Sequence, residues 1–394
     1  MILLLMSKSV KSLQLKLNEY FDHQAEDTVS ASAYTQARAN LRHTAFIDLN
    51  ETAFVRGTYE DGDYERYKGY RLLAIDGSKV RLPDTPSVRE EFGTIRNKNK
   101  HAEGSYTGAQ SSTLYDLLNR IIVDSVIAPG KVSELSLAQK HLQHCTSDDL
   151  LLFDRGYPGY ELFGDILRKG ADFVCRCSKV AFKEVVQFLA DKQAQERLIT
   201  LRPNLQIRKR IAALGLPSTL NIRLVKVLLS TGEIEVLATS LIDCEHHPLS
   251  EFKELYAKRW GIETLFDVFK NRLSLENFSG KSAESVKQDF YAIVLMTNME
   301  SVITAGANAK LEEKQSTTAY QQRVNKSVSF NAIMHVAFDL VACPESDLPD
   351  IFGNLEALFL KGTAPIRPER KYPHKEPSFL KALNFLRRTR KAVF

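Results

Sequence analysis

The sequence predicts an α/β protein in which a mixed sheet flanked by helices is interrupted by a β-rich insertion, with helical N- and C-terminal regions. Three observations predict it. Extended runs alternate with amphipathic helical segments between residues 70 and 177. One of those runs, Leu150-Leu151-Leu152-Phe153, is continuously apolar, as a strand buried on both faces is. Residues 179–241 then break into short β-like runs before two long helical stretches.

The composition permits such a fold and excludes others. The chain has 394 residues, 44% hydrophobic and 26% charged, with a net charge of +5. That is too apolar and too nearly neutral for a disordered chain. Glycine (19) and proline (13) are too few for a fibrous or low-complexity protein. Five scattered cysteines, an odd number, do not make a disulfide framework and suit a reducing cytoplasm. The opening Met-Ile-Leu-Leu-Leu-Met lacks the basic n-region of a signal peptide. No apolar run approaches the ~18–20 residues of a membrane span, so no membrane partner is expected.

In chain order, residues 1–68 read as a helical N-terminal region. Thr28-Val29-Ser30 offers a cap for a helix from Ala31 to Leu41, and Val10, Leu13, Leu15, Leu17 and Tyr20 form a loose stripe before it. Two short helices joined by a Ser-rich turn suit a DNA-binding head and an ordinary helical hairpin equally. In residues 69–178, Tyr70 to Ser78 reads as a strand ending in Asp76-Gly77, and Lys79 to Pro83 as a second, half-buried one. Extended runs follow at 109–118 and 119–127, then a helix from Ser133 to Cys145. The buried run ends at Asp154-Arg155-Gly156-Tyr157; a helix with Tyr160, Phe163 and Ile166 and a strand from Ala171 to Cys177 complete the stretch. This order is compatible with a ribonuclease-H-like layout. Residues 179–243 form the β-rich insertion, with ten Lys/Arg against five Asp/Glu up to Leu241. Residues 244–308 hold two long helices, one from Pro248 to about Leu273 and one from Ser282 to Thr304. Residues 309–394 form a basic C-terminal region.

The first long helix carries the sharpest chemical signal. On an ideal helix Tyr256, Arg259, Glu263 and Lys270 project at about 0°, 300°, 340° and 320°, one narrow stripe. Leu255, Ile262, Phe266, Phe269 and Leu273 form an adjoining apolar one. A solvated face with an Arg259–Glu263 or Glu263–Lys270 ion pair would account for the first stripe alone. It does not account for Asp76 and Asp154, two acids that end apolar strands. Strand ends of an α/β sheet converge at one edge, and a helix packed there can add a carboxylate. Three carboxylates held close repel unless a cation neutralises them, and oxygen-only ligands suit Mg²⁺ or Mn²⁺. Two such ions about 4 Å apart serve phosphoryl transfer.

These pieces resemble the DDE transposases of bacterial insertion sequences, in the insertion-sequence-four branch with its Tyr-Arg-Glu-Lys signature. The likeness rests on Ala74-Ile75-Asp76-Gly77-Ser78, on Leu152-Phe153-Asp154-Arg155-Gly156-Tyr157, and on Tyr256-x2-Arg259-x3-Glu263-x6-Lys270, which keeps the family spacing without departure. Ser279-Gly280 and Gln288 are also similar, and the likeness covers residues 25 to 300. The resemblance implies a ribonuclease-H-like catalytic core split by the insertion. It implies Asp76, Asp154 and Glu263 as catalytic metal ligands for two Mg²⁺ or Mn²⁺ ions, and Tyr256, Arg259 and Lys270 as DNA phosphate contacts. It further implies double-stranded DNA partners (terminal inverted repeats and target DNA), a homodimer in the synaptic complex, and a cytoplasmic, nucleoid-associated bacterial protein. Relatives that cut without joining, or that only bind DNA, are the alternatives. Family members use an aromatic residue of the insertion to hold a flipped base. Phe182 and Phe188 stand in the insertion here, and the only tryptophan, Trp260, in the signature helix.

Weaker signals remain. Asp124, at a strand end, is a spare acid for the ligand set. Cys175-x-Cys177 with Cys244, His246 and His247 is a poor zinc pattern, its spacing being too tight. Residues 361–394 carry ten Lys/Arg and two acids, +8 in 34 residues, and the first 360 therefore sum to −3. Beside a phosphoryl-transfer core the tail and the insertion are expected to lie along DNA, and the Lys98-Asn99-Lys100-His101 run reads as a loop.

Overall fold

A computed structural model describes residues 1–6, 12–23, 27–99, 102–229, 232–314 and 320–367. Residues 368–394 of the basic tail, Lys100, His101 and Val10 lie outside the described residues. The chain divides into two compact units, one of residues 57–84 and 89–268, the other of residues 1–56, 85–88 and 269–394.

The first unit is built on a nine-stranded sheet. Its strands are β1 (Arg71–Arg81), β2 (Thr94–Asn99), β3 (Ala102–Asp116), β4 (Ile122–Pro129), β5 (Asp149–Phe153), β6 (Asp172–Cys177), β7 (Glu196–Leu201), β8 (Leu220–Leu228) and β9 (Ile234–Thr239). The path runs β2-β3-β1-β5-β6-β9-β8-β7, and β4 also pairs with β3. Within it, β4-β3-β1-β5-β6 is the ribonuclease-H-like core: β3 and β4 meander antiparallel from β1, while β5 and β6 lie parallel to it and to each other. Leu150, Leu151, Leu152 and Phe153 are wholly buried, as a central parallel strand requires.

Several elements differ from the sequence reading. β1 is one strand of eleven residues, so Asp76 sits inside it rather than at its end. Gly77 continues the strand because the helix Glu134–His141 lies against it: a Cβ there would stand 2.9 Å from the Gln110 side chain and 3.0 Å from Glu134. Lys98 and Asn99 belong to β2 rather than a loop. The insertion is not a separate module. β9 pairs antiparallel with β6, and β8 and β7 follow, extending the core sheet. Its basic charge is partly consumed by partners within the same unit. Arg197 pairs with Asp191 at 2.5 Å, Arg210 with Glu161 at 2.9 Å, buried Arg223 with Glu196, and Lys226 donates to the Ala194 carbonyl at 2.9 Å.

One ion pair fixes the central register. Arg71 and Asp149 are the first partners of the parallel β1–β5 pair. The guanidinium donates twice to the carboxylate, Nε to Oδ1 at 2.7 Å and an Nη to Oδ2 at 2.8 Å. Asp149 is fully buried. A slip of one residue would break both bonds and turn every β5 side chain to the wrong face. Asp124 is tied away from Asp76 and Asp154: its Oδ2 meets the buried His141 ring at 2.7 Å, and His141 reaches Ser112 Oγ at 3.0 Å. Burial alone would raise the Asp124 carboxyl, but the His141 hydrogen bond and the charges of His141 and His144 hold it below its ordinary range.

The second unit is mostly helical. Ser30 caps the helix Ala31–Ala39 by accepting from the Ala33 amide. The helix Ala283–Glu313 is long and apolar enough to cross a membrane, but the window that qualifies is 72% buried inside the protein. Arg38 bonds Gln288 (2.7 Å), Ser279 (2.8 Å), the Ser285 carbonyl (3.0 Å) and Asp289 (3.0 Å). Ser279 and Gln288 thus hold a buried arginine and join the N-terminal helices to the long one.

Two outcomes are expected. Arg71→Ala leaves Asp149 buried without its partner and lowers unfolding free energy by about 3–5 kcal/mol in urea titration, and Arg71→Lys, lacking the fork, restores only part of it. The depressed Asp124 pKa contributes stability above the ordinary carboxylate range and loses it as pH falls through the folded value. The stability gap between wild type and Asp124→Asn, measured by thermal melts, is therefore widest near neutrality and shrinks below about pH 4.

Candidate active site

The register carried forward from Arg71 and Asp149 sets up the site. The last paired residues of β1 and β5 are Ala74 and Leu152. Asp76 and Asp154 each lie two residues further on, at equivalent positions of neighbouring parallel strands, whose backbones run roughly 4.8 Å apart. Alternation turns Asp76 to the face opposite Gly77 and the helix over it. Each carboxylate is steadied by a following glycine: Asp76 Oδ1 accepts from the Gly77 amide at 2.8 Å, and Asp154 Oδ1 from the Gly156 amide at 2.7 Å. A Cβ on Gly156 would stand 3.0 Å from that Asp154 oxygen.

Glu263 comes from the segment expected to be one long helix. It is broken instead into a 3₁₀ turn (Leu249–Glu251), helices Phe252–Ala257 and Trp260–Asp267, and a π-helical turn (Val268–Arg272). The break falls at Lys258 and Arg259, whose amides bond three residues back to Leu255 and Tyr256. A single 100° projection therefore does not hold across the signature. The helix Trp260–Asp267 packs on β1, and Gly261 lets it approach: a Cβ there would meet Leu117 at 2.9 Å.

The signature side chains split into two groups. Arg259, only 3% exposed, donates to Glu263 Oε1 at 2.6 Å, so the ion pair of the simpler reading is formed. Its guanidinium lies 5.6 Å from the Tyr256 ring and 5.3 Å from the Trp260 ring. Lys270, half-buried in the π-helical turn, belongs to the other unit, which begins at Phe269. Of the aromatic residues, Phe188 is wholly buried and Phe182 packs by Phe163, while Trp260 is 57% exposed.

The electrostatics single out Asp76. Burial, and then the charges of Asp154 and Glu263, push its carboxyl up to about 6, against the pull of the Gly77 amide and Arg259. Oxygen-only donors with mutual repulsion fit a hard divalent cation in kind. They are not gathered around a point, for among the described residues no three His, Cys, Asp or Glu side chains stand close enough to hold an ion. Glu263 is instead held by Arg259. Three buried side-chain atoms among the described residues lack a hydrogen-bond partner: Tyr157 Oη, Tyr256 Oη and Arg259 Nε. Tyr256 and Arg259 were singled out by the signature; Tyr157 stood in the Asp154 motif without a role. An aromatic hydroxyl three residues beyond a strand-end acid was the signal available.

Comparison with known proteins gives the family. The transposase DDE domain family matches residues 67–299. Transposase InsG of insertion sequence element IS4, from Escherichia coli K12, is 24% identical over 361 residues, covering 88% of this chain and 76% of that protein. The putative transposase InsZ of the same strain is 30% identical over 163 residues, 40% of this chain and 52% of that protein. Among solved structures, the piggyBac transposase synaptic complex with hairpin DNA aligns with a TM-score of 0.43 and 12% identity, over 95% of this chain and 78% of that one. The chain belongs to the transposase DDE domain family and is of the insertion-sequence-four type.

Proposed function

We propose that the protein is a DNA transposase that cuts the ends of its own insertion sequence and joins them to target DNA. The observation that carries the reading is the β1–β5 register, which ends two residues before both Asp76 and Asp154, with the Glu263 helix packed on β1. In this reading Asp76, Asp154 and Glu263 hold Mg²⁺ or Mn²⁺, two ions in all. Bound there, such ions activate a water or 3′-hydroxyl and stabilise the leaving oxygen at phosphorus.

The chain's own residues do the rest. Arg259 keeps one arm on Glu263 and has Nε unpartnered for a phosphate oxygen. Tyr256, buried and so held in its neutral form, offers a hydroxyl donor beside it. Lys270 adds a positive charge further along the chain. Trp260, exposed beside Arg259, is available to stack on a base. The DNA partners are the terminal inverted repeats and the target duplex, bound by a homodimer in the synaptic complex. Residues 1–68 would aid in binding the ends and the basic tail in holding phosphates, with residues 69–178 and 244–308 forming the two parts of the catalytic core and 179–243 the inserted strands.

A strand-transfer assay with labelled element ends in Mg²⁺ tests the reading. Joined product is expected from wild type. Cleavage without joining would indicate a nuclease, and binding without cleavage a silent derivative. Glu263→Ala is expected to abolish cleavage while leaving end binding within a few-fold; retained cleavage removes Glu263 from the site. The raised Asp76 pKa gives a second outcome. A raised acid favours its protonated form in the fold, so the metal-free protein loses stability as pH rises toward about 6. Asp76→Asn avoids that loss. It is expected to melt higher than wild type at pH 7–8 without metal, by about 2–3 kcal/mol, and equally at pH 4.

A further inference from the structure

Tyr157 has no part in the signature, yet its environment sets it apart. It sits in the turn after β5, 1% exposed, with its amide bonded to the Asp154 carbonyl at 3.3 Å and its ring 5.5 Å from that of Phe153. Its hydroxyl is buried without a hydrogen-bond partner. A buried hydroxyl left unpaired costs about 1–3 kcal/mol, and phenylalanine would fill the same space without that cost. Burial first, and then the nearby Asp76, Glu134, Asp154 and Cys175, raise its pKa. Glu134 is engaged elsewhere, accepting from Gln110 Nε2 at 3.0 Å. The phenol is a donor without an acceptor, in the turn that carries Asp154.

We propose that Tyr157 is a positioning residue for the carboxylate site, its hydroxyl donating to an oxygen of Asp76 or Asp154 that a bound divalent cation leaves free. The inference rests on the reading that these two carboxylates hold the cation. A cation draws the carboxylates together and fixes their rotamers, and the donor then satisfies a lone pair that would otherwise be buried empty. The hydroxyl has no partner of its own among the described residues, so the bond it makes to a cation-bound carboxylate would raise cation affinity rather than stabilise the fold.

Calorimetric titration of the full chain with Mn²⁺, without DNA, tests this beside thermal melts in chelator. Tyr157→Phe is expected to weaken Mn²⁺ binding by about tenfold, the loss of one hydrogen bond to a charged group. Its melting temperature in chelator is expected to equal or exceed that of wild type. Unchanged Mn²⁺ affinity overturns the inference, and so does a lower melting temperature in chelator, which would mark the hydroxyl as structural. Asp154→Ala keeps the two levels apart. If wild type binds Mn²⁺, Asp154→Ala does not and Tyr157→Phe matches wild type, only the Tyr157 inference falls. If wild type binds none, or Asp154→Ala binds as well as wild type, the carboxylate reading falls and takes the inference with it.

Discussion

The double hydrogen bond between Arg71 and Asp149 closes the first rung of a parallel ladder, and the placement of the carboxylate site depends on it. In a parallel pair the rungs are evenly spaced and any register satisfies the backbone equally well. Side chains must choose. Leu150 to Phe153 are buried on both faces and discriminate poorly between neighbouring registers, because every position is apolar. A charged pair that fits at one offset only supplies the choice, and the acids further along the two strands inherit their alignment from it.

Local satisfaction is the rule elsewhere in the molecule. Arg38 has four partners and Arg223, wholly enclosed, bonds Glu196 and the His247 carbonyl. Among the described residues the exceptions gather around one patch: a carboxyl pushed toward neutrality by burial and its neighbours, and three donors with nothing to donate to. Native folds break their own rules mainly where something else must bind or react. The glycines make the same point in backbone terms. Gly156 and Gly261 stand where a side chain would press on Asp154 or push the Glu263 helix away.

Much of this was legible in the sequence. The continuous apolar run gave β5, and extended runs gave β6, β1, most of β4 and the second half of β3. The acids after those runs, with the Tyr-Arg-Glu-Lys spacing, pointed to Asp76 and Asp154, at matching offsets beyond the β1–β5 register, and to Glu263 on the helix packed on β1. Other features carry no one-dimensional signal. β2, Thr-Ile-Arg-Asn-Lys-Asn, has one apolar residue and is a strand because β3 offers it backbone partners. Asp76-Gly77 reads as a turn, and only the helix lying over Gly77 explains a glycine inside a strand. The helix Lys183–Ala190 was hidden in a segment read as β-rich, and the break at Arg259 falls in a run with no proline to announce it. Arg71 and Asp149 lie 78 residues apart, so nothing local couples them.

The continuity of β6 with β9 has a consequence for how this architecture can vary. With β9 along its flank, β6 is an interior strand, and Val174 and Cys175 are sealed from water. Excising the inserted segment would leave a bare row of amides and carbonyls beside the reactive edge, ready to recruit a stray strand. Length can change cheaply only in the connections, such as the turn between β8 and β9 or the helical link before β7. Grafting or shortening this protein therefore has to respect a seam at the sheet, and cuts are tolerable in those connections alone.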